Sequence, residues 1–417
     1  MTSEKSCGLP QKVAIFFFSA MFWLYIAKMG IFNGVVIATA VWGIYVLIRH
    51  RCEVVSYLKS SQFLWLFLLL FVPVVISAIG SLTPKDSWRT VLNISRFFFI
   101  GGLAIVLTQS SVEKIRWAVL GFIALISVDA VIEWLTGYHL TGASRDRVRI
   151  MGLFQFYHLG YVLGTLTPII FYQTYQSFAA KERGRFAWLV ITACALIAIF
   201  VAGARAGWVS LLVSGGLLLL WLLIHRKISW KRVIVALGLC IVVAGGITQI
   251  PMVKNRLVNP NGAATVEFGS YEWFDKLSSA RLVLWEFAWK HYQEYPVIGA
   301  GTGSFHQTFT EQPQALKGAH DEAFFPHFHG LEVLSETGTV GFICYLIVVF
   351  SVLWLLLSAP YFSVWLAVAF IAMMPINTHV AFYGSFWAVL IWVPLILGLR
   401  ERFLRRKADA ALENRLN

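Results

Sequence analysis

A few charged and imidazole side chains set among small residues hold most of this chain's capacity for chemistry. Arg205 lies in Ala202-Gly203-Ala204-Arg205-Ala206-Gly207, between two apolar runs. An arginine at bilayer depth is costly unless it faces a cavity or a partner, and small flanking residues let a bulky anion approach the backbone. Snorkelling to a head-group layer is the plain alternative. Arg281 opens an amphipathic segment, and Gly299-Ala300-Gly301-Thr302-Gly303 follows that segment's end. A guanidinium can grip phosphate oxygens bidentately, and glycines expose N–H groups that can do the same. With no Gly-Lys-Ser/Thr ending, the run is not a P-loop.

A third group is Phe325-Pro326-His327-Phe328-His329-Gly330-Leu331-Glu332, leading to Gly338-Thr339-Val340-Gly341. Histidine is the natural base for taking a hydroxyl proton near neutral pH. Spacing of two residues puts His327 and His329 on opposite sides of a helix or the same side of a strand, so they need not act together. His320, Asp321 and Glu322 are nearby, but their spacing matches no recurrent ligand pattern, and neither a metal nor another cofactor is expected. Asp129 and Glu133 lie one helical turn apart in an apolar run. They could relay protons in a transporter or pair with an arginine of Arg145-Asp146-Arg147-Val148-Arg149. Pairing is favoured, because the chain lacks two matched halves with Gly/Pro-broken spans.

The elements that must position these residues are membrane helices. Of 417 residues, 58% are hydrophobic and 13% charged, about half the charge of a soluble domain, and mean hydropathy is +0.71. The fold class expected is an all-α polytopic membrane protein of about twelve transmembrane helices. Apolar blocks near the length of a span fall at 13–27, 31–48, 62–79, 95–108, 117–136, 156–174, 186–202, 207–224, 233–250, 338–358, 361–376 and 381–398. With both termini cytoplasmic, 20 of the 34 basic residues fall on the inner side, as the positive-inside rule asks. This divides the chain into 1–250 (about nine helices), a loop domain over 251–337 on the outer face, 338–399 (the last three helices) and a basic cytoplasmic tail over 400–417. Within the loop, 278–295 reads as a helix, with Leu282, Trp285, Trp289 and Tyr292 at three- and four-residue spacing and Pro296 ending it. The net charge of +13 points to anionic lipids or substrates, since so little aqueous surface leaves no place for nucleic acid. Five cysteines have neither metal-type spacing nor a disulfide pattern.

Taken together, the residues resemble the O-antigen ligase and polymerase superfamily of bacterial inner-membrane proteins. The resemblance rests on Gly203-Ala204-Arg205-Ala206-Gly207; on Ser279-Ala280-Arg281 through Trp285, then Tyr295-Pro296-Val297-Ile298-Gly299-Ala300-Gly301; and on His327-Phe328, nine residues, then Gly338-x-x-Gly341. The family usually has an amide or small polar residue where Phe328 stands, and His329 follows, so His327 is favoured as the base with His329 as the alternative. The stretch from Arg147 to Phe154 is similar to the segment before the family's sixth span. The resemblance implies a fold like that of GT-C class glycosyltransferases, with one large periplasmic loop. It implies transfer of a glycan from undecaprenyl pyrophosphate to a sugar hydroxyl, inverting and metal-independent: lipid A–core is the acceptor in a ligase, another lipid-linked repeat in a polymerase. On that reading His327, Arg205 and Arg281 are catalytic, and Arg147, Arg149, His329, Gly301 and Gly303 bind pyrophosphate or glycan. Fourteen outer basic residues tilt the choice toward a ligase, which must also hold a phosphate-bearing acceptor.

Overall fold

A computed structural model describes residues 8–143, 149–231, 265–318, 320–378 and 380–416, with single positions between 232 and 264. The expected ninth span, 233–250, and Arg147 lie outside the described residues. The protein is a predominantly helical, multi-pass membrane protein. Its helices before the large loop are α1 (Gly8–Trp23), α2 (Met29–Arg49), α3 (Arg51–Ser60), α4 (Phe63–Ile79), α5 (Pro84–Leu103), α6 (Gln109–Thr136), α7 (Leu159–Ala179), α8 (Arg185–Val201) and α9 (Arg205–Ile224). The loop contributes α10 (Tyr271–Ser278), α11 (Leu282–Glu294), α12 (Ser304–Thr310) and α13 (Gln314–Lys317). After it come α14 (His329–Leu357), α15 (Val364–Ala372) and α16 (Ser385–Leu416). A two-residue hairpin, β1 (Tyr138–His139) with β2 (Gly142–Ala143), follows α6.

Six helices among the described residues are long and apolar enough to cross a membrane, or seven if α3 and α4, bent by 82° at their junction, make one broken span. The sequence suggested about twelve. One of those, 233–250, lies outside the described residues, and among the others the difference lies in segments that are apolar but short or interrupted. Helix α8 has 17 residues; α15 has nine, nearly all buried inside the protein; α7 carries Pro168 and the buried polar residues Thr165, Thr167 and Gln173. Apolarity here reflects packing against protein as much as contact with lipid. The fourth expected span also begins earlier, at Pro84, which suits the first helical position because its missing N–H would have no partner there.

Local signals set the other ends. Thr108 and Ser111 cap α6 reciprocally: the Thr108 hydroxyl accepts the Ser111 N–H at 3.3 Å, and the Ser111 hydroxyl accepts the Thr108 N–H at 3.2 Å. Gly137, at φ +78°, ends the same helix. Between α7 and α9 the contact is backbone on backbone. A Cβ on Gly164 would lie 2.8 Å from the Gly207 carbonyl oxygen, and one on Gly207 would lie 2.3 Å from that of Gly160. Gly160 and Gly164 thus form a small-xxx-small face of the kind that lets membrane helices approach. The loop segment has a separate small core of Leu284, Ala288, Phe305, Phe309 and Ala323.

Candidate functional site

The glycine contact brings the first turns of α7 and α9 side by side, and with them Tyr161 and Arg205. The turn before α9 is short because Gly203 adopts φ +67° and its N–H closes on the Phe200 carbonyl. Arg205 is therefore the first residue of α9, where the helix dipole already presents positive charge. Its Nη2 donates to the Ser279 hydroxyl at 2.5 Å.

Ser279 and Ala280 occupy the left-handed region at φ +66° and +59°, a strained choice for two residues with a Cβ. Neighbouring bonds hold the strain. The Ala280 N–H donates to the Asp275 carbonyl at 2.7 Å, the Leu282 N–H to the Asp275 carboxylate at 3.2 Å, and the Arg281 N–H to the Ser278 hydroxyl at 3.1 Å. The turn makes Arg281 the N-cap of α11, so the helix expected over 278–295 begins four residues later and ends at Glu294. Its buried stripe is Leu284, Ala288 and His291, not the line through Leu282, Trp285, Trp289 and Tyr292.

Arg281 is half-buried, donates to the Thr378 carbonyl at 3.4 Å, and hydrogen-bonds Tyr161. Burial lowers the pKa of its guanidinium; Tyr161 opposes that shift, and the Arg149 charge adds to it. Arg149 and Arg281 both lie near enough to Arg205 for their charges to act on it. Arg149 also stacks over the Tyr157 ring at 4.9 Å. Three guanidiniums from three separate segments thus converge, and among the described residues none of them has an ion pair with a carboxylate. Asp129 and Glu133 accept backbone N–H groups flanking this arginine-rich stretch: Leu140 donates to Asp129 at 2.8 Å, and Gly152 to Glu133 at 2.5 Å; Arg145 and Arg147, also offered for the expected pairing, lie outside the described residues. They hold the connection that carries Arg149.

The two histidines have different surroundings. His329 is buried at the start of α14; its Nε2 donates to the Val380 carbonyl at 2.9 Å, and its Nδ1 is buried without a partner. His327 is half-exposed at φ +54°, with its ring against Phe325 at 4.2 Å between centroids. The flanking residues fix this loop to α11: Trp285 donates to the Pro326 carbonyl at 3.0 Å and meets the Phe328 ring edge-on. The connection between α15 and α16 closes the same corner. It accepts from Arg281 and His329 and donates from Phe382 and Tyr383 to the buried Glu332 carboxylate at 2.9 and 3.3 Å. His320 is turned away onto the Ala280 carbonyl, and no cluster among the described residues has the donors for a metal.

The glycine run plays a different part from the anion cradle its sequence suggested. The Gly301 N–H donates to the Glu336 carbonyl at 3.0 Å, and the Glu336 carboxylate takes the amides of Gly303 and Phe305. A Cβ on Gly301 would lie 2.0 Å from the Ser81 hydroxyl. The run is wedged against α14 where Gly338 breaks the helix, and a Cβ there would lie 2.3 Å from the Val297 carbonyl oxygen. Close backbone approach explains these glycines, and their N–H groups are engaged within the protein. Tyr161 and Ser279 were missed as members of the site; the spacing of Gly160 and Gly164 around Tyr161, with Gly207 just after Arg205, is the sequence signal that could have joined them.

Residues 190–346 match the family model described as O-antigen ligase, a stretch holding Arg205, Arg281, the glycine run and both histidines. A protein of Haemophilus influenzae (strain ATCC 51907 / DSM 11121 / KW20 / Rd), described only as uncharacterized, is 23% identical over 345 residues, covering 73% of this chain and 84% of that protein. The match over residues 190–346 supports membership of the O-antigen ligase/polymerase superfamily.

Proposed function

We propose that the protein is an O-antigen ligase. It transfers polysaccharide from undecaprenyl pyrophosphate to a sugar hydroxyl of lipid A–core at the periplasmic face of the bacterial inner membrane, with both termini in the cytoplasm. The observation that carries this reading is the cluster of Arg149, Arg205 and Arg281, which has no carboxylate counter-ion among the described residues. Like charges withdrawn in part from water repel, and an anionic ligand relieves the repulsion.

In the proposed reaction the acceptor hydroxyl oxygen attacks the anomeric carbon while the bond from that carbon to the pyrophosphate oxygen breaks. The hydroxyl proton passes to His327, the anomeric centre inverts, and undecaprenyl pyrophosphate departs. Charge grows on the leaving oxygen, so guanidiniums fixed beside it stabilise the transition state more than the bound donor. They supply the positive charge a metal would otherwise bring. His327 suits the base because it is half-exposed, whereas His329 spends Nε2 on Val380 and buries Nδ1.

The test is transfer in vitro with purified protein, lipid-linked donor and lipid A–core in the presence of a chelator. Polymer attached to core is the expected product. Elongation of lipid-linked glycan with no core-attached product would make the protein the polymerase of the same superfamily. Loss of transfer on chelation would remove the metal-free mechanism.

A further inference from the structure

The connection from α15 to α16 is a strap laid along the first turns of α14. The Gly330 N–H donates to the Pro375 carbonyl at 2.8 Å, and the His329 N–H to the Asn377 carbonyl at 3.0 Å. His329 Nε2 donates to the Val380 carbonyl at 2.9 Å. From the loop, Arg281 Nη1 donates to the Thr378 carbonyl at 3.4 Å. The strap therefore joins one arginine of the cluster to the helix that follows His327.

Glu332 supplies the carboxylate in this arrangement. It is 2% exposed; its Oε2 accepts the Phe382 N–H at 2.9 Å and its Oε1 the Tyr383 N–H at 3.3 Å. Among the described residues it has no ion pair. A carboxylate is costly to withdraw from water without a cation, and neutral acceptors could satisfy two backbone N–H groups at lower cost. What the carboxylate adds is geometry. Its two oxygens take two successive N–H groups at once, whereas a carboxamide offers one acceptor oxygen and turns an NH2 toward the other donor. Glu336, one turn further on and 3% exposed, takes the amides of Gly303 and Phe305 instead, so the two carboxylates hold different segments.

On the reading that the arginine cluster binds a lipid-linked pyrophosphate, we propose that Glu332 is a positioning residue for Arg281. Glu332 fixes Phe382 and Tyr383, these fix the course of the strap at Thr378, and the Thr378 carbonyl holds the guanidinium where it shares an anion with Arg149 and Arg205. Glu332 itself touches no substrate.

The full-length protein, purified in detergent, is titrated with farnesyl pyrophosphate by calorimetry, which reads affinity and stoichiometry separately. Arg281→Ala is expected to weaken binding about a hundredfold, and Glu332→Gln about tenfold, both at wild-type stoichiometry. A purely structural role would lower the stoichiometry, as misfolded molecules drop out, and leave the affinity of the remainder unchanged. Because both losses act through one guanidinium, the double variant should bind no more than about twofold more weakly than Arg281→Ala alone. Unchanged affinity in Glu332→Gln, or losses that multiply in the double variant, overturns the positioning role and leaves the proposed function standing. Absence of binding by the unsubstituted protein overturns both. Should Glu332→Gln fail to fold, hydrogen exchange of the unsubstituted protein decides: farnesyl pyrophosphate is expected to slow exchange of the Phe382 and Tyr383 amides, by the reciprocity of linked sites, and unchanged exchange overturns the positioning role.

Discussion

Arg205 and Arg400 are arginines that a membrane helix withdraws from water, yet their surroundings differ. Arg400 makes three hydrogen bonds of 2.6–2.9 Å to the carbonyls of Ile105 and Leu107 and lies over the Tyr57 and Phe403 rings. Near it, Arg405 has Glu401 and Arg116 has Glu113. At the opposite end Arg205 has a hydroxyl, and its charged neighbours are two more arginines. Carbonyls and rings meet the charge of Arg400, whereas the charged groups that act on Arg205 carry its own sign. On the proposed function, the partner set rather than the depth of burial separates the two arginines.

This contrast can be broken by substitution. His327→Ala should cut transfer about 10²- to 10⁴-fold, the span of a general base, with folding intact by thermal unfolding in detergent; full transfer would return the base role to His329. Arg205→Ala or Arg281→Ala should each cost about 10²- to 10³-fold, and Arg205→Lys should recover only part, because an ammonium keeps the charge and loses the fork. Arg400→Leu should do the reverse, lowering stability by about 2–4 kcal/mol as three carbonyl bonds disappear, while transfer per folded molecule stays near wild type. If Arg400→Leu abolished transfer without destabilising the protein, the division between the two ends would fail.

A smaller effect sharpens the same comparison with pH. Burial of His158 beside the Phe386 ring pushes its pKa down to about 4, below the ordinary value near 6.5. The neutral ring is the folded form, so its stabilisation is complete above pH 6.5 and is lost as pH falls toward 4, where the unfolded chain binds the proton more readily. The melting temperature should drop across that window, and His158→Phe should flatten the drop.

Much of the architecture is written locally. Apolar length gives the long spans, and Thr108-x-x-Ser111 and Gly137 give the ends of α6. Arg205 was legible because a charge between apolar runs needs a reason. The span number was less so, because α8 and α15 are apolar but short, with α15 packed almost wholly against protein. Arg281 was legible as a charge, but its position at the head of α11 depends on two left-handed residues that no propensity favours. The glycine run misled for a physical reason: absence of a Cβ serves an approaching phosphate and an approaching backbone equally, and sequence does not say which arrives. Tyr161 looked like any ring in an apolar helix.

Arg281 anchors on the Thr378 carbonyl, 97 residues downstream, and the His329 backbone on Asn377. A chain emerging from the ribosome therefore exposes its arginines and histidines to the membrane surface well before the segment that fixes them has been made. The loop cannot settle the geometry alone with a core of five side chains. On the proposed function, competence is thus an end-of-synthesis event: a chain interrupted before residue 377 lacks the carbonyls that anchor Arg281 and His329.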